Sequence, residues 1–247
     1  MLSKVGEIQS VLLLGGKSDM ALATLAKLPI SKNARVLLCG RDMNAFEIPD
    51  TLSMFQVQKV EVDLADTTKA MLIIDEVFEG GDVDLAIIAY ATLGSEQFQL
   101  NHEVFAKVLH NNLYSQALLL NQINSRMSHQ MSGQILHISS VAGIRPRKVN
   151  FVYGASKFGV DFIAQGLQKQ NVGSNVFITI LRPGFVHTKM TINMSPAPFA
   201  TNVSAVAKIA ANGLRKRKRI VYAPRILFPV MFILKLLPER IFRILDK

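Results

Sequence analysis

The sequence predicts one doubly wound α/β domain, a parallel sheet with helices on both faces, and three observations carry that prediction. Short apolar runs alternate with longer segments of helical period, the runs are hydrophobic throughout rather than at alternate residues, and a glycine pair follows the first of them. A strand covered on both faces has no polar side to show, so continuous hydrophobicity marks a parallel sheet between two helical layers. With 247 residues, 49% hydrophobic and 19% charged, the chain has apolar mass for one core and falls outside the disordered class.

Ser10–Leu14 reads as the first strand and leads to a helix over Ala21–Leu28. Ala34–Cys39 and Gln56–Val62 are the second and third strands, the latter followed by a helix over Thr67–Phe78. Val83–Ala89 is a fourth strand before one long helical stretch, His102–Met131. Strand Gln134–Ser139, helix Val152–Gln170, strand Val176–Leu181, helix Val203–Leu214 and strand Arg219–Tyr222 bring the sheet to about seven strands. Composition breaks only near Ser195–Pro198, so the reading is one domain over 1–223 with a short apolar and basic helical extension over 224–247 that belongs to it. The single cysteine, Cys39, excludes an intramolecular disulfide and a Cys-rich zinc site, and the five histidines show no ligand spacing, so no metal is expected.

The net charge of +10 is concentrated in the tail: residues 201–247 carry 11 basic and 2 acidic side chains. A neutral body with a basic, apolar tail points to an anionic membrane surface or a phosphorylated partner rather than to nucleic acid, for which interleaved aromatics are missing. The first ten residues hold Lys4 and Glu7 and no secretory signal, and the longest uncharged apolar run, Ile226 to Leu234, is nine residues where a spanning helix needs about 20. The expectation is a protein of the cytoplasmic side, peripherally membrane-associated, with no transmembrane helix.

In an open parallel sheet, ligands bind beyond the carboxyl ends of the strands, and the first strand–helix turn meets phosphate. Here that turn is Gly15-Gly16-Lys17-Ser18-Asp19-Met20-Ala21, where the glycines let the backbone turn tightly and approach a pyrophosphate. The second strand ends in Gly40-Arg41-Asp42. An arginine there suits the 2′-phosphate of NADPH and an aspartate the ribose hydroxyls of NADH, so NADH and NADPH both stay open. Ser140 stands at the end of an apolar strand, Tyr153 follows thirteen residues later, and Lys157 lies four residues beyond on a helical stretch. That spacing puts phenol and ammonium on one helix face. The ammonium is expected to draw the tyrosine below its ordinary pKa and make it a general acid, with Ser140 donating to the same carbonyl oxygen.

These residues, with Asp63 after the third strand, Asn112 and the segment Leu181-Arg182-Pro183-Gly184-Phe185-Val186-His187-Thr188, resemble the short-chain dehydrogenase/reductase family over residues 10–223. The resemblance implies a Rossmann fold and an NAD(P)H-dependent oxidoreductase. It implies cofactor contacts from Gly15, Gly16, Ser18, Met20, Arg41 and Asp42, from Asp63 and Leu64 at adenine, and from Ala89 and Tyr90. It also implies contacts from Tyr153 and Lys157 at the nicotinamide ribose, and from Pro183, Gly184, Val186 and Thr188 beside nicotinamide. Tyr153 is then the acid, Lys157 holds the ribose, Ser140 orients the carbonyl, and Asn112 supports a lysine–water proton relay. The chain departs from the family in Ile88-Ala89-Tyr90-Ala91, where Asn-Asn-Ala-Gly is usual, and in its incomplete glycine turn.

Within the family, Val11–Gly16, Gly80–Tyr90, Asn150–Gly154 and the ending Pro238-Glu239-Arg240-Ile241-Phe242 are similar to one subgroup, the decaprenylphosphoryl-2-keto-erythro-pentose reductases. That likeness implies reduction of the 2-keto group of a polyprenyl-phosphoryl keto-sugar to polyprenyl-phosphoryl arabinose for cell-wall arabinan, with a flavoprotein oxidase as functional partner. Reduction of another lipid-linked or acyl ketone is the neighbouring reading. A cofactor-binding subunit that positions a membrane oxidase is the reading from another class, and the intact serine, tyrosine and lysine argue against it. Arg145, Arg147 and Lys148 sit in the loop before Tyr153, where they either bind substrate phosphate or form a solvated loop. The basic run Arg215–Arg219 and the apolar segment after it either lie on lipid headgroups or cover the sheet or a homo-oligomer interface.

Overall fold

The computed structural model describes residues 7–94 and 101–246; residues 1–6, which include most of the opening segment read above, 95–100 and 247 lie outside it. Seven strands form the main sheet: β1 (Ile8–Leu14), β2 (Ile30–Gly40), β3 (Gln56–Glu61), β4 (Leu85–Ile88), β5 (Gly133–Ile138), β6 (Val176–Pro183) and β9 (Ile220–Ala223). Two short strands between the last of these, β7 (Val186–His187) and β8 (Thr201–Asn202), pair with each other apart from it. The main sheet runs in the order β3-β2-β1-β4-β5-β6-β9, each strand parallel to its neighbours. The order reverses between β1 and β4, and the loops leaving the carboxyl ends of these strands part there to leave a crevice. Helices α2 (Thr67–Glu79), α4 (Gln116–His129) and α5 (Phe151–Gln170) cover one face; α1 (Asp19–Leu25) and α6 (Val203–Arg215) cover the other.

Two cores result from the strand alternation: Leu12, Leu14, Ala86, Ile88 and Ile135 point to the α4–α5 side, and Val11, Leu13, Leu85, Ile87 and Leu136 to the α1–α6 side. Helix starts follow their capping residues. Asp66 accepts from the Lys69 amide at 3.2 Å and Asn202 from the Ala205 amide at 2.9 Å, each replacing a missing intrahelical partner. The long stretch expected as one helix is interrupted: α3 (His102–Leu109) passes into a π-helical turn, His110–Ser115, before α4. The wider turn admits an extra residue and turns Asn112 and Ser115 inward, where both are fully buried.

The C-terminal extension is a pair of helices, α7 (Leu227–Leu236) and α8 (Glu239–Leu245), at the carboxyl end of the sheet. The basic run read as flanking them is elsewhere. Arg215–Arg219 joins the end of α6 to the start of β9, at the amino edge of the sheet, and Arg217 packs over the Phe177 ring at 4.1 Å. Strand β9 separates run and hairpin by about 13 Å of extended chain, so a linear reading joined what the strand holds apart.

Helix α5 is tied to the sheet by a buried network. The Asp161 carboxylate takes the Arg182 guanidinium through both oxygens, at 2.8 and 2.7 Å, and accepts from the Ser139 hydroxyl at 3.0 Å. Burial by itself raises the Asp161 pKa, yet the hydrogen bonds and charge of Arg182, with Ser139 and Gln165, hold it below the usual carboxylate range. Removing one member strands a buried charge, which typically costs about 3–5 kcal/mol. Asp161→Ala is therefore expected to lower the unfolding free energy by that order, read from a urea titration, whereas Lys69→Ala, at an exposed pair with Asp66, leaves it close to wild type.

Candidate active site

One cleft of about 1160 Å³ runs along the carboxyl ends of the strands, from Gly15 and Gly16 at one end to Tyr153 and the C-terminal hairpin at the other. At the first end, Gly15 adopts φ +96°, and a Cβ on it would fall 2.6 Å from the Ala89 carbonyl oxygen. The β1 turn and the end of β4 are in backbone contact there, which only glycine permits. Ser18 caps α1, accepting from the Ala21 amide at 3.4 Å, and Met20 lies in its first turn; both line the cleft. Arg41 and Asp42 form its outer edge. Asp42 has φ +54°, and its backbone is gripped by Glu61, which accepts from the Asp42 and Met43 amides at 2.6 Å each. Its carboxylate pairs with Lys17 at 2.9 Å, which holds it below the ordinary aspartate range.

Asp63, Leu64, Ala89 and Tyr90 form the middle of the cleft wall. Asp63 accepts from the Ala65 amide at 3.0 Å, and the Leu64 carbonyl accepts from the Ser115 hydroxyl at 2.5 Å. Ser115 also meets the Tyr90 hydroxyl at 2.7 Å, and Gln116 donates to the Tyr90 carbonyl. A phenol stands at Tyr90, third in the segment where the family usually has Asn-Asn-Ala-Gly and so in place of its alanine, and its pKa is raised chiefly by burial. Ser115 of the π-helical turn thus holds its hydroxyl, and Gln116 of α4 its backbone carbonyl. Asn112 uses both ends of its amide on Thr92: its oxygen accepts from the Thr92 N–H, and its nitrogen donates to the Thr92 carbonyl, at 2.7 Å each. Its side chain thus clamps the strand exit.

Ser140 ends the segment after β5, and its hydroxyl accepts from the Ala142 amide at 3.1 Å. Tyr153 reaches it from the first turn of α5, and the Lys157 ammonium lies 5.9 Å from the tyrosine ring centre and donates to the Ile138 carbonyl at 3.1 Å. The ring is partly accessible from the cleft, but its phenol is desolvated: burial pushes the pKa up to about 12, against a hydrogen bond with Ser140 that lowers it. The net shift is opposite to the downward one expected from the lysine alone. Burial likewise brings Lys157 down to about 8, with the Asp161 charge opposing. At neutral pH the site therefore holds a protonated phenol beside a group that gives up a proton readily.

Pro183, Gly184, Val186 and Thr188 close the cleft opposite Tyr153. Gly184 is pinned by its amide to the Ala223 carbonyl at 2.9 Å, and Thr188 caps the short 3-10 turn Lys189–Thr191. Arg145, Arg147 and Lys148 meet the hairpin. Arg145 donates to the Leu234 and Leu237 carbonyls at 2.6 Å each, pairs with Glu239 at 3.1 Å and stacks on Phe242 at 4.0 Å; Arg147 pairs with Asp246, which also accepts from the Lys148 amide. Arg145 and Arg147 line the cleft while bracing its wall. Sequence reasoning did not pick out that wall, Leu227, Val230, Met231, Leu234 and Phe242. Its only linear signal is an apolar spacing of three and four, which does not say what the stripe faces.

The glycine turn, the β2 end and the Tyr153 corner share one continuous cleft whose close backbone approach a side chain would block, so the chain's residues fit a dinucleotide. A model of the short chain dehydrogenase family matches residues 9–198, and the chain belongs to that family. It is an NAD(P)-dependent short-chain oxidoreductase. It is 32% identical over 243 residues to an uncharacterised oxidoreductase of Mycobacterium tuberculosis, covering 94% of this chain and 95% of the relative. A Streptomyces coelicolor uncharacterised oxidoreductase is 31% identical over 243 residues, 96% of each. A Burkholderia cenocepacia short chain dehydrogenase solved with NADP superposes with a TM-score of 0.75 over 95% of this chain and 100% of that one, at 14% identity. Actinorhodin polyketide ketoreductase solved with NADPH gives 0.69 over 87% and 92%, at 20% identity; at such identities the likeness is one of fold. Among the described residues no group of side chains is placed to hold a metal, and no helix is long and apolar enough to cross a membrane.

One buried group beside the site titrates abnormally. His137 on β5 is fully buried, with no hydrogen-bond partner at either ring nitrogen among the described residues, and burial and then the Lys157 charge push its pKa down to about 3. The unfolded chain, with His137 near 6.5, binds the extra proton, so stability is lost as pH falls from 6.5 towards 3. His137→Asn is expected to flatten that part of the stability profile, measured as urea midpoint against pH, while leaving the profile above pH 7 unchanged in slope.

Proposed function

We propose that this oxidoreductase reduces the 2-keto group of a polyprenyl-phosphoryl 2-keto-erythro-pentose, yielding polyprenyl-phosphoryl arabinose for cell-wall arabinan, and receives its substrate from a flavoprotein oxidase at the membrane surface. The observation that carries the reading is the wall opposite Tyr153: Leu227, Val230, Met231, Leu234 and Phe242 put an apolar surface in the same cleft as the phenol, as a ketone carrying a long hydrocarbon requires. The likeness of the chain's ending to the keto-pentose reductases supports the same substrate.

Gly15, Gly16 and Ser18 would hold the pyrophosphate of a reduced nicotinamide cofactor, with Pro183, Gly184, Val186 and Thr188 beside its nicotinamide, and the bound cofactor would supply the hydride. Ser140 donates a hydrogen bond to the carbonyl oxygen and polarises it. Tyr153, kept protonated by its buried setting, gives its proton to that oxygen as negative charge develops, and the adjoining Lys157 stabilises the phenolate left behind. Lys157 then passes a proton back, in a corner whose shape Asn112 maintains through Thr92. For the substrate phosphate we assign Arg145, Arg147 and Lys148, of which Arg145 and Arg147 line the cleft while also holding the hairpin.

The test follows reduced-nicotinamide consumption by the purified protein, with the oxidase generating polyprenyl-phosphoryl keto-pentose in detergent. Substrate-dependent consumption that drops on the order of a thousandfold in Tyr153→Phe, with cofactor binding retained, is expected. No consumption despite confirmed keto-sugar and bound cofactor overturns the sugar assignment and leaves another lipid-linked or acyl ketone. For a working enzyme, the rate is expected to fall as pH rises through about 8, where Lys157 loses its proton and with it the support of the phenolate.

A further inference from the structure

Helix α7 is apolar on two sides at once. Leu227, Val230, Met231 and Leu234 recur at helical spacing and line the cleft, while Phe228, Phe232, Ile233 and Leu236 form a second stripe facing away from it. The outer stripe is bare: Phe228 and Phe232 are each 60% exposed and Leu236 67%. Helix α8 continues it with Ile241 and Ile244, both exposed. Across the cleft mouth, Met190, Ile192, Met194 and Phe199 are exposed as well, and all but Ile192 also line the cleft. The apolar surface therefore runs from the outside of the molecule over both lips and down to Tyr153.

The charges around this patch are mostly positive. Arg225, Lys235, Arg240 and Arg243 are exposed along the hairpin. Its two acids are engaged: Glu239 by Arg145 and Arg243, Asp246 by Arg147. A bare aliphatic and aromatic stripe rimmed by cations, on a helix of ten residues that is too short to cross a bilayer, matches a surface that lies in the headgroup region of an anionic membrane.

We infer that the α7–α8 hairpin is an interfacial anchor: its outer stripe seats on an anionic lipid surface and turns the cleft mouth towards the hydrocarbon, so that a lipid chain slides along the inner stripe to Tyr153 without crossing water. The inference deepens the lipid-substrate reading, but the docking is measured without any substrate. A protein partner or a second copy seated on the same stripe would cover the mouth, and the unbroken apolar path into the cleft favours lipid.

The experiment uses the full chain with vesicles of phosphatidylcholine alone and with phosphatidylglycerol added. Co-sedimentation with the mixed vesicles is expected, weakening with salt, and falling by about tenfold or more in a Phe228→Ser/Phe232→Ser/Leu236→Ser variant. The three side chains are mostly exposed, Phe228 also meeting the edge of the Tyr222 ring at 5.5 Å, and cofactor binding by calorimetry reports that the domain is intact. The chain contains no tryptophan, so Phe232→Trp provides a single reporter whose emission shifts to the blue on vesicle addition if the helix enters the interface. Equal sedimentation of wild type and triple variant, an unshifted emission from the Phe232→Trp variant, or a wild-type dimer that the triple variant breaks into monomers overturns the inference. Turnover of a short-chain, water-soluble keto-pentosyl phosphate tests the sugar reading separately, because that substrate needs no membrane.

Discussion

The contact between Asp161 and Arg182 is the constraint from which the reactive corner derives its shape. It joins α5, which carries Tyr153 and Lys157, to β6, whose exit forms the opposite side of the cleft, while Ser139 adds the end of β5. Three elements that approach from different parts of the chain are thereby registered against one another by one carboxylate. A buried ion pair is weak evidence for net stability, since desolvation offsets most of its attraction, but its bidentate geometry is directional in a way that apolar packing is not. The same carboxylate carries negative charge into the neighbourhood of Lys157 and so opposes the loss of the ammonium that burial favours.

Burial governs the chemistry of that corner more than charge does. Tyr153 is pushed towards its protonated form and Lys157 towards its neutral one, because both ionised states lose hydration in the same pocket. The two shifts set a protonated phenol beside an ammonium that gives up its proton readily, with no phenolate at rest. In the proposed reduction that is the required starting state, since the proton must be present when the alkoxide forms. At the other end of the cleft the work is geometric. Gly15 keeps a side chain out of the space against Ala89, and Glu61 sets the turn bearing Arg41 and Asp42 by holding consecutive backbone amides.

The C-terminal hairpin unites substrate wall and molecular surface in two short helices. Its position depends on Arg145, which leaves the loop beside Ser140 and donates to carbonyls at the end of α7, where a helix has no internal partners for them. Residues that the linear sequence offered as phosphate ligands are thus also the braces of the wall. The basic run of Arg215–Arg219 belongs to the opposite edge of the sheet, and the cations that accompany the apolar stripe are those within the hairpin itself.

By itself the sequence determined the class and the linear pattern of most of the candidate site residues. Strand hydrophobicity and helical period are local properties, so the alternating elements, the glycine turn after β1, and the placing of Tyr153 and Lys157 on one helix face were all legible. The tertiary structure decided whatever depends on which surfaces meet. The π-helical turn that buries Asn112 and Ser115, the Asp161–Arg182 link, and the sign of the Tyr153 shift each result from packing between residues far apart in the chain. The two-sided character of α7 was hidden for the same reason: a helix apolar all round carries no mark of which stripe faces a cleft and which faces out, and only the neighbours that cover one of them decide it.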